Sequence, residues 1–126
     1  MQKIDILITG GKALLLDSSD TELDQSAIAI NDSLIIEIGP TGKLAQKYKA
    51  EKTIDAGNSL IMPGFVNCHT HAAMTCFRGM ADDLELMDWL NNYIFPTEAK
   101  NVNKELAYWG SLLACAEMIK SGTTTF

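Results

Sequence analysis

The sequence predicts a mixed α/β chain, with short β-strands over residues 1–62 and the opening of a parallel β–α–β arrangement over residues 63–126. Three observations predict it. Apolar runs punctuated by turn residues fill the first half. A nearly uninterrupted apolar run, Leu60 to Asn67, leads straight into Cys68-His69-Thr70-His71. A stretch with helical spacing, Lys104 to Ser121, is followed by the β-branched Thr123-Thr124-Thr125.

Ile4, Ile6 and Ile8 alternate with Asp5 and Leu7, the period of a strand. Gly10-Gly11 predicts a turn, and Ala13 to Leu16 a second apolar strand. The polar stretch Ser18 to Ser26 predicts a loop. Ala27 to Ile30 and Leu34 to Ile38 flank Asn31-Asp32-Ser33, residues that tolerate the left-handed backbone of a hairpin turn. Gly39-Pro40 closes that hairpin, Lys43 to Lys49 predicts a short helix, and Thr53 to Asp55 a further extended piece. The run from Leu60 predicts a strand covered on both faces, as in a parallel sheet. Residues 72–100 form a long mixed segment with a helix expected around Leu84 to Tyr93; connections of that length are usually functional. Asn103 suits a helix N-cap. Leu106, Trp109, Leu113, Ala116 and Ile119 form the expected apolar stripe of the helix that follows, and Gly122 suits its left-handed C′ position.

With 47% hydrophobic and 21% charged residues, the 126-residue chain has the composition of a globular protein, which argues against disorder and fibrous repeats. Sixteen acidic residues against ten basic give a net charge of −6, so the chain is poorly matched to nucleic acid or anionic membrane, which require positive charge. No apolar run approaches the roughly 18 residues of a membrane span, and the N-terminus does not have the form of a signal peptide, so a cytoplasmic location is expected. Cys68, Cys76 and Cys115 are odd in number and outside any C-x-x-C pattern; reduced, buried thiols are expected.

The sharpest chemical signal is His69-Thr70-His71. Side chains two apart on extended backbone share a face, about 6.5 Å apart. Two imidazoles so placed can converge on one metal ion at about 2.0–2.1 Å. Cys68 and Thr70 point the other way, which removes Cys68 as a ligand. The pair ends an apolar strand, where parallel α/β folds build their sites.

The stretch Pro63-Gly64-Phe65-Val66-Asn67-Cys68-His69-Thr70-His71 resembles the first barrel strand of the amidohydrolase superfamily. Arg78-Gly79-Met80-Ala81-Asp82-Asp83-Leu84, Trp89-Leu90 and Pro96-Thr97-Glu98-Ala99-Lys100 are similar to its deaminases of the 5-methylthioadenosine/S-adenosylhomocysteine type and their chlorohydrolase relatives, as is the ending Lys120 to Phe126. The resemblance implies that residues 63–126 are the first β/α unit and the start of the second strand of a metal-dependent (β/α)8 barrel. Residues 1–62 would be N-terminal strands of a flanking β-sandwich, so that both domains are incomplete within these 126 residues. It implies that His69 and His71 bind a divalent metal, most often Zn2+, and that Glu98, in the long loop, binds the ribose hydroxyls of a small nucleoside substrate. Trp89 would line the pocket or belong to the core. Arg78, Asp82 and Asp83 are assigned no chemistry beyond a local Arg–Asp pair, and the methionines, Met74 among them, are assigned to packing.

The implied reaction is metal-assisted hydrolytic deamination of an adenosine-type nucleoside to its inosine analogue and ammonia. The family's remaining machinery, a glutamate, a further histidine and an aspartate on later strands, has no counterpart after His71. This 126-residue chain alone is therefore expected to be inactive and to bind metal weakly. Strand edges at 60–68 and 123–126 are expected to need cover from the rest of the chain or from another copy. Two other readings stand beside this one. The substrate could be a chlorotriazine or guanine, or the chain could be a stand-alone β-rich module whose H-x-H motif holds a metal at an oligomer interface.

Overall fold

In the computed structural model, which describes residues 1–126, strand β1 (Gln2–Leu14) is the spine of a five-stranded sheet. It pairs antiparallel with β2 (Glu22–Asn31). Its other edge is shared by two parallel partners, β4 (Tyr48–Asp55) along residues 2–9 and β5 (Leu60–Ile61) at Lys12 and Ala13. Beyond β2 lies β3 (Leu34–Pro40). Gly10-Gly11 does not turn the chain. The pairing passes from Thr9 opposite Ala27 to Gly11 opposite Ser26, so Gly10 is an extra residue in a β-bulge. Its φ of +84° is open to glycine, which lets the strand continue where a turn was expected.

The β2–β3 hairpin turns through Asp32 and Ser33, with φ of +49° and +66°, as the sequence predicts. Helix α1 (Thr41–Lys47) follows directly. Thr41 ties it to the sheet: its hydroxyl donates to the Ser26 carbonyl at 2.8 Å and accepts from the Gly10 amide at 3.1 Å. Ile4, Leu7, Ala27, Ala29, Leu44 and Tyr48 form one buried cluster, with Leu44 at 0% exposure. These elements make up one compact unit, Met1–Pro63; Gly64–Phe126 make up a second.

In the second unit, β6 (Phe65–Val66) pairs in parallel with β7 (Thr123–Thr125), and α4 (Lys104–Lys120) lies between them in the chain. The expected strand over 60–67 is thus broken. Leu60–Ile61 joins the first sheet, so that part of the expected open edge is paired, and Phe65–Val66 joins the second. Pro63 has no N–H to offer a ladder. Gly64 runs so close to β7 that a Cβ would lie 2.2 Å from Thr124 Cγ2. The expected burial on both faces is also corrected: in this two-stranded ribbon Phe65 is 54% exposed.

Helix α4 has the predicted ends: the Asn103 side chain accepts from the Leu106 amide at 2.9 Å, and Gly122 has φ +88°. Its buried face is not the predicted one. Gly110 and Ala114 are buried, while Trp109, Leu113 and Ile119 are exposed. The reason is a backbone approach. A Cβ at Gly110 would lie 2.3 Å from the Ala73 carbonyl oxygen, so the 3₁₀ segment Ala72–Phe77 packs where side chains are small.

The expected helix over 84–93 runs instead from 86 to 101 in three parts: α2 (Leu86–Trp89), a π-helical turn (Leu90–Ile94) and α3 (Phe95–Asn101). Pro96 sits inside it. A proline in a helix interior lacks a donor and crowds the carbonyl four residues back; a widened turn just before it makes room for the ring.

Candidate metal and substrate site

His69 and His71 follow β6 on irregular backbone rather than within a strand. Asn67 holds the start of this segment, its side-chain oxygen accepting from the His69 amide at 3.1 Å, while the His71 carbonyl accepts from the Met74 amide at 2.8 Å and opens the 3₁₀ segment. The two rings nonetheless converge. Their Nε2 atoms lie 3.2 Å apart, with ring centroids at 5.2 Å and planes at 53°. Two nitrogens each about 2.05 Å from one ion and 3.2 Å from each other subtend an angle of about 100° there, within the tetrahedral range of zinc. The pair therefore fits a metal as two of its ligands. No group of three or more His, Cys, Asp and Glu side chains converges in this chain, and catalytic zinc takes at least three protein ligands.

His71 also lines a cavity of about 660 Å³. Glu98 lines it too, from helix α3 and not from an irregular loop as its sequence context predicts. Between them the walls are mainly apolar, with Phe77, Leu86, Trp89, Leu90, Ile94 and Phe95. An apolar pocket with a few convergent polar groups is the ordinary form of a small-molecule site. Trp89 is half-buried, and its indole N–H donates to the Met80 carbonyl at 2.9 Å, which fixes the ring at the wall. Met74, expected only to pack, lines the cavity. No sequence signal separated it from the other methionines.

Arg78, at the cavity's rim, does not pair with Asp82 or Asp83. Its guanidinium makes a two-pronged contact with Glu117 of α4, Nη2–Oε1 and Nη1–Oε2 each at 2.9 Å. The partners stand on two packed elements, the 3₁₀ segment and α4, a proximity that sequence distance hides. The hydrogen bonds from Arg78 hold the Glu117 carboxyl below the usual range, and those to Glu117 raise Arg78. The three cysteines are free as expected, but none is buried: Cys68 and Cys76 are exposed and Cys115 is half-buried. No helix is long and apolar enough to cross a membrane.

Comparison with known proteins gives a consistent picture. A protein-family profile described as "Amidohydrolase family" matches residues 60–126. A 5-methylthioadenosine/S-adenosylhomocysteine deaminase of Syntrophus aciditrophicus is 58% identical over 126 residues, covering 100% of this chain and 28% of that protein. A 5′-deoxyadenosine deaminase of Methanosarcina barkeri is 49% identical over 122 residues, covering 97% of this chain and 27% of that protein. Among solved structures, an adenosine deaminase from Xanthomonas campestris with bound zinc superposes with a TM-score of 0.91 at 36% identity, over 98% of this chain and 28% of that one. The chain spans little more than a quarter of the length of the curated relatives it matches.

Proposed function

The chain belongs to the amidohydrolase family, and on that footing we propose that the intact protein deaminates an adenosine-type nucleoside to its inosine analogue and ammonia. Within it, residues 63–126 form the first β/α unit and the start of the second strand of a (β/α)8 barrel, and residues 1–62 contribute strands to a flanking β-sandwich. The parallel β6–β7 pair joined through α4, and the apolar residues that α4 leaves exposed, support that placement. The substrate class follows the names of the relatives: 5-methylthioadenosine, S-adenosylhomocysteine or 5′-deoxyadenosine.

One observation carries the reading: the cavity bounded by His71, whose ring meets His69, is also bounded by Glu98. His69 and His71 hold a divalent metal, zinc by analogy with the zinc-bound relative, and the remaining ligands and the general acid come from outside these 126 residues. A metal so held supplies Lewis acidity and lowers the pKa of water to about 7. Glu98 offers two acceptor oxygens to two vicinal ribose hydroxyls. Trp89 and its apolar neighbours exclude water and pack against the base or the 5′ substituent. With two of the ligands alone, this segment by itself does not turn over substrate. Its free cysteines suit the reducing cytoplasm.

The test is ammonia release by the intact protein from 5-methylthioadenosine, S-adenosylhomocysteine, 5′-deoxyadenosine and guanine, and chloride release from a chlorotriazine, beside its zinc content. The nucleosides are expected to react; exclusive turnover of guanine, or of the triazine, overturns the proposal. His69→Ala or His71→Ala is expected to weaken zinc binding by more than the roughly 10- to 100-fold lost with an outer-shell partner.

A further inference from the structure

We infer that the π-helical turn Leu90–Ile94 is a positioning device: it sets the rotational phase of the helix so that Glu98, and not Thr97, faces the cavity. The inference rests on the reading of Glu98 as the ribose-binding group. The turn is defined by a hydrogen bond from the Phe95 amide to the Leu90 carbonyl, five residues back. An α-helix advances about 100° per residue, whereas a π-turn takes in one extra residue without that rotation.

The consequence is read from the cavity walls. Leu86, Trp89 and Leu90, before and at the start of the turn, line the cavity. On a regular α-helix Glu98 would stand about 180° from Trp89, on the opposite side, and Tyr93 and Thr97 would continue the cavity face. With one residue absorbed in the π-turn, Glu98 stands about 80° from Trp89 and within about 20° of Leu86. The observed lining follows the second pattern: Ile94 and Glu98 face the cavity, and Tyr93 and Thr97 do not. Burial agrees, since Ile94 is among the most buried side chains of the chain and Tyr93 is exposed. Pro96 gives the turn its local cause, and Trp89, pinned by its bond to the Met80 carbonyl, gives the rotation a fixed reference.

The experiment measures, in the intact protein, the ratio of kcat/KM for an adenosine-type ribonucleoside to that for its 2′,3′-dideoxy analogue. Loss of hydrogen bonds to a carboxylate is expected to make that ratio about 10 to 100 in the native protein. The same-length exchange Thr97→Glu/Glu98→Thr alters two half-buried polar positions and conserves composition, so folding is expected to survive; circular dichroism checks it. It is expected to collapse the ratio towards 1. A retained ratio in the exchange variant overturns the phasing. Insertion of one alanine after Asn92 is expected to collapse the ratio as well, and adding Thr97→Glu to that insertion is expected to restore it, because the insertion rotates position 97 into the cavity. Glu98→Gln separates the two claims. If it leaves the ratio unchanged, the ribose-binding reading of Glu98 falls. If it collapses the ratio while the exchange variant keeps it, that reading stands and the phasing falls.

Discussion

The two units differ in where they put their apolar side chains. In Met1–Pro63 a five-stranded sheet and one short helix bury Ile4, Leu7, Leu44 and Tyr48 together. In Gly64–Phe126, Phe65, Val66, Trp109, Leu112, Leu113 and Ile119 are exposed, and yet this unit holds both histidines, Glu98 and the large cavity. A two-stranded ribbon is marginal in water, whereas a sheet of three or more strands with a covered face can sustain itself. The comparison teaches that stability and chemistry are divided along this chain: the first unit is built around a closed core, and the second around a site whose supporting helix is apolar on several sides. A helix of that kind is normally buried in a larger assembly of elements.

The largest expected effect tests that division directly. Leu44→Ala should destabilise the first unit by about 2–5 kcal/mol, because it removes fully buried methyl groups from a cluster closed by sheet and helix. Ile119→Ala, at a position 72% exposed, should change the stability of this chain by no more than about 0.5 kcal/mol. Native-state hydrogen exchange at Leu7, Ala27 and Ala29, against amides of α4, reads both. Equal costs for the two substitutions would erase the contrast.

How much of this was legible in the sequence divides the same way. Local signals carried far. Asp32-Ser33 specify their hairpin, Asn103 its cap and Gly122 its left-handed C′ residue, because each depends on backbone preferences within a few residues. The pairing of His69 with His71 was legible too, although the rings converge from the irregular segment after β6 and not, as expected, from one side of an extended strand. What was not legible depends on contacts distant in sequence. The apolar stripe of α4 suggested one buried face, but the close approach of Ala73 at Gly110 selected another. Arg78 could be matched only to nearby aspartates, since nothing local announces Glu117, 39 residues away. The bulge at Gly10 and the π-turn before Pro96 share one cause of failure: each absorbs an extra residue, and periodicity counting has no place for one.

A mid-sized effect sharpens the comparison through a pair of glycines. Gly42 in α1 has open space where a Cβ would go, while Gly110 in α4 would place one 2.3 Å from the Ala73 oxygen. Gly→Ala in a free helix interior gains up to about 1 kcal/mol from reduced backbone entropy. Gly42→Ala should therefore stabilise the first unit slightly, although its place in the first turn of α1 reduces the gain. Gly110→Ala should have the opposite sign, costing about 1–3 kcal/mol as backbone is pushed from backbone. Thermal unfolding of the two variants reads the signs. A stabilising Gly110→Ala would mean that α4 and the 3₁₀ segment are not held together as described.

The smallest effect concerns charge. Glu37 in β3 receives hydrogen bonds from Lys47, the larger influence, and from the Tyr48 hydroxyl at 2.7 Å, and its carboxyl is held down to about 2. Because the folded value lies below the ordinary 4.5, the stabilisation from this network is fully present above pH of about 4.5 and is lost as pH falls towards 2. Lys47→Met should move Glu37 upward most and Tyr48→Phe less. In the second unit, where Arg78 holds Glu117 below its usual range in the same way, Arg78→Met should raise Glu117. Carboxyl-carbon NMR titration follows both residues in one experiment. Because both carboxylates lie near the surface, added salt should shrink each shift. A Glu37 that titrates near 4.5 at low salt would remove the ion network from the account of how α1 is fastened to the sheet, leaving the Leu44 packing and the Thr41 hydrogen bonds to hold it.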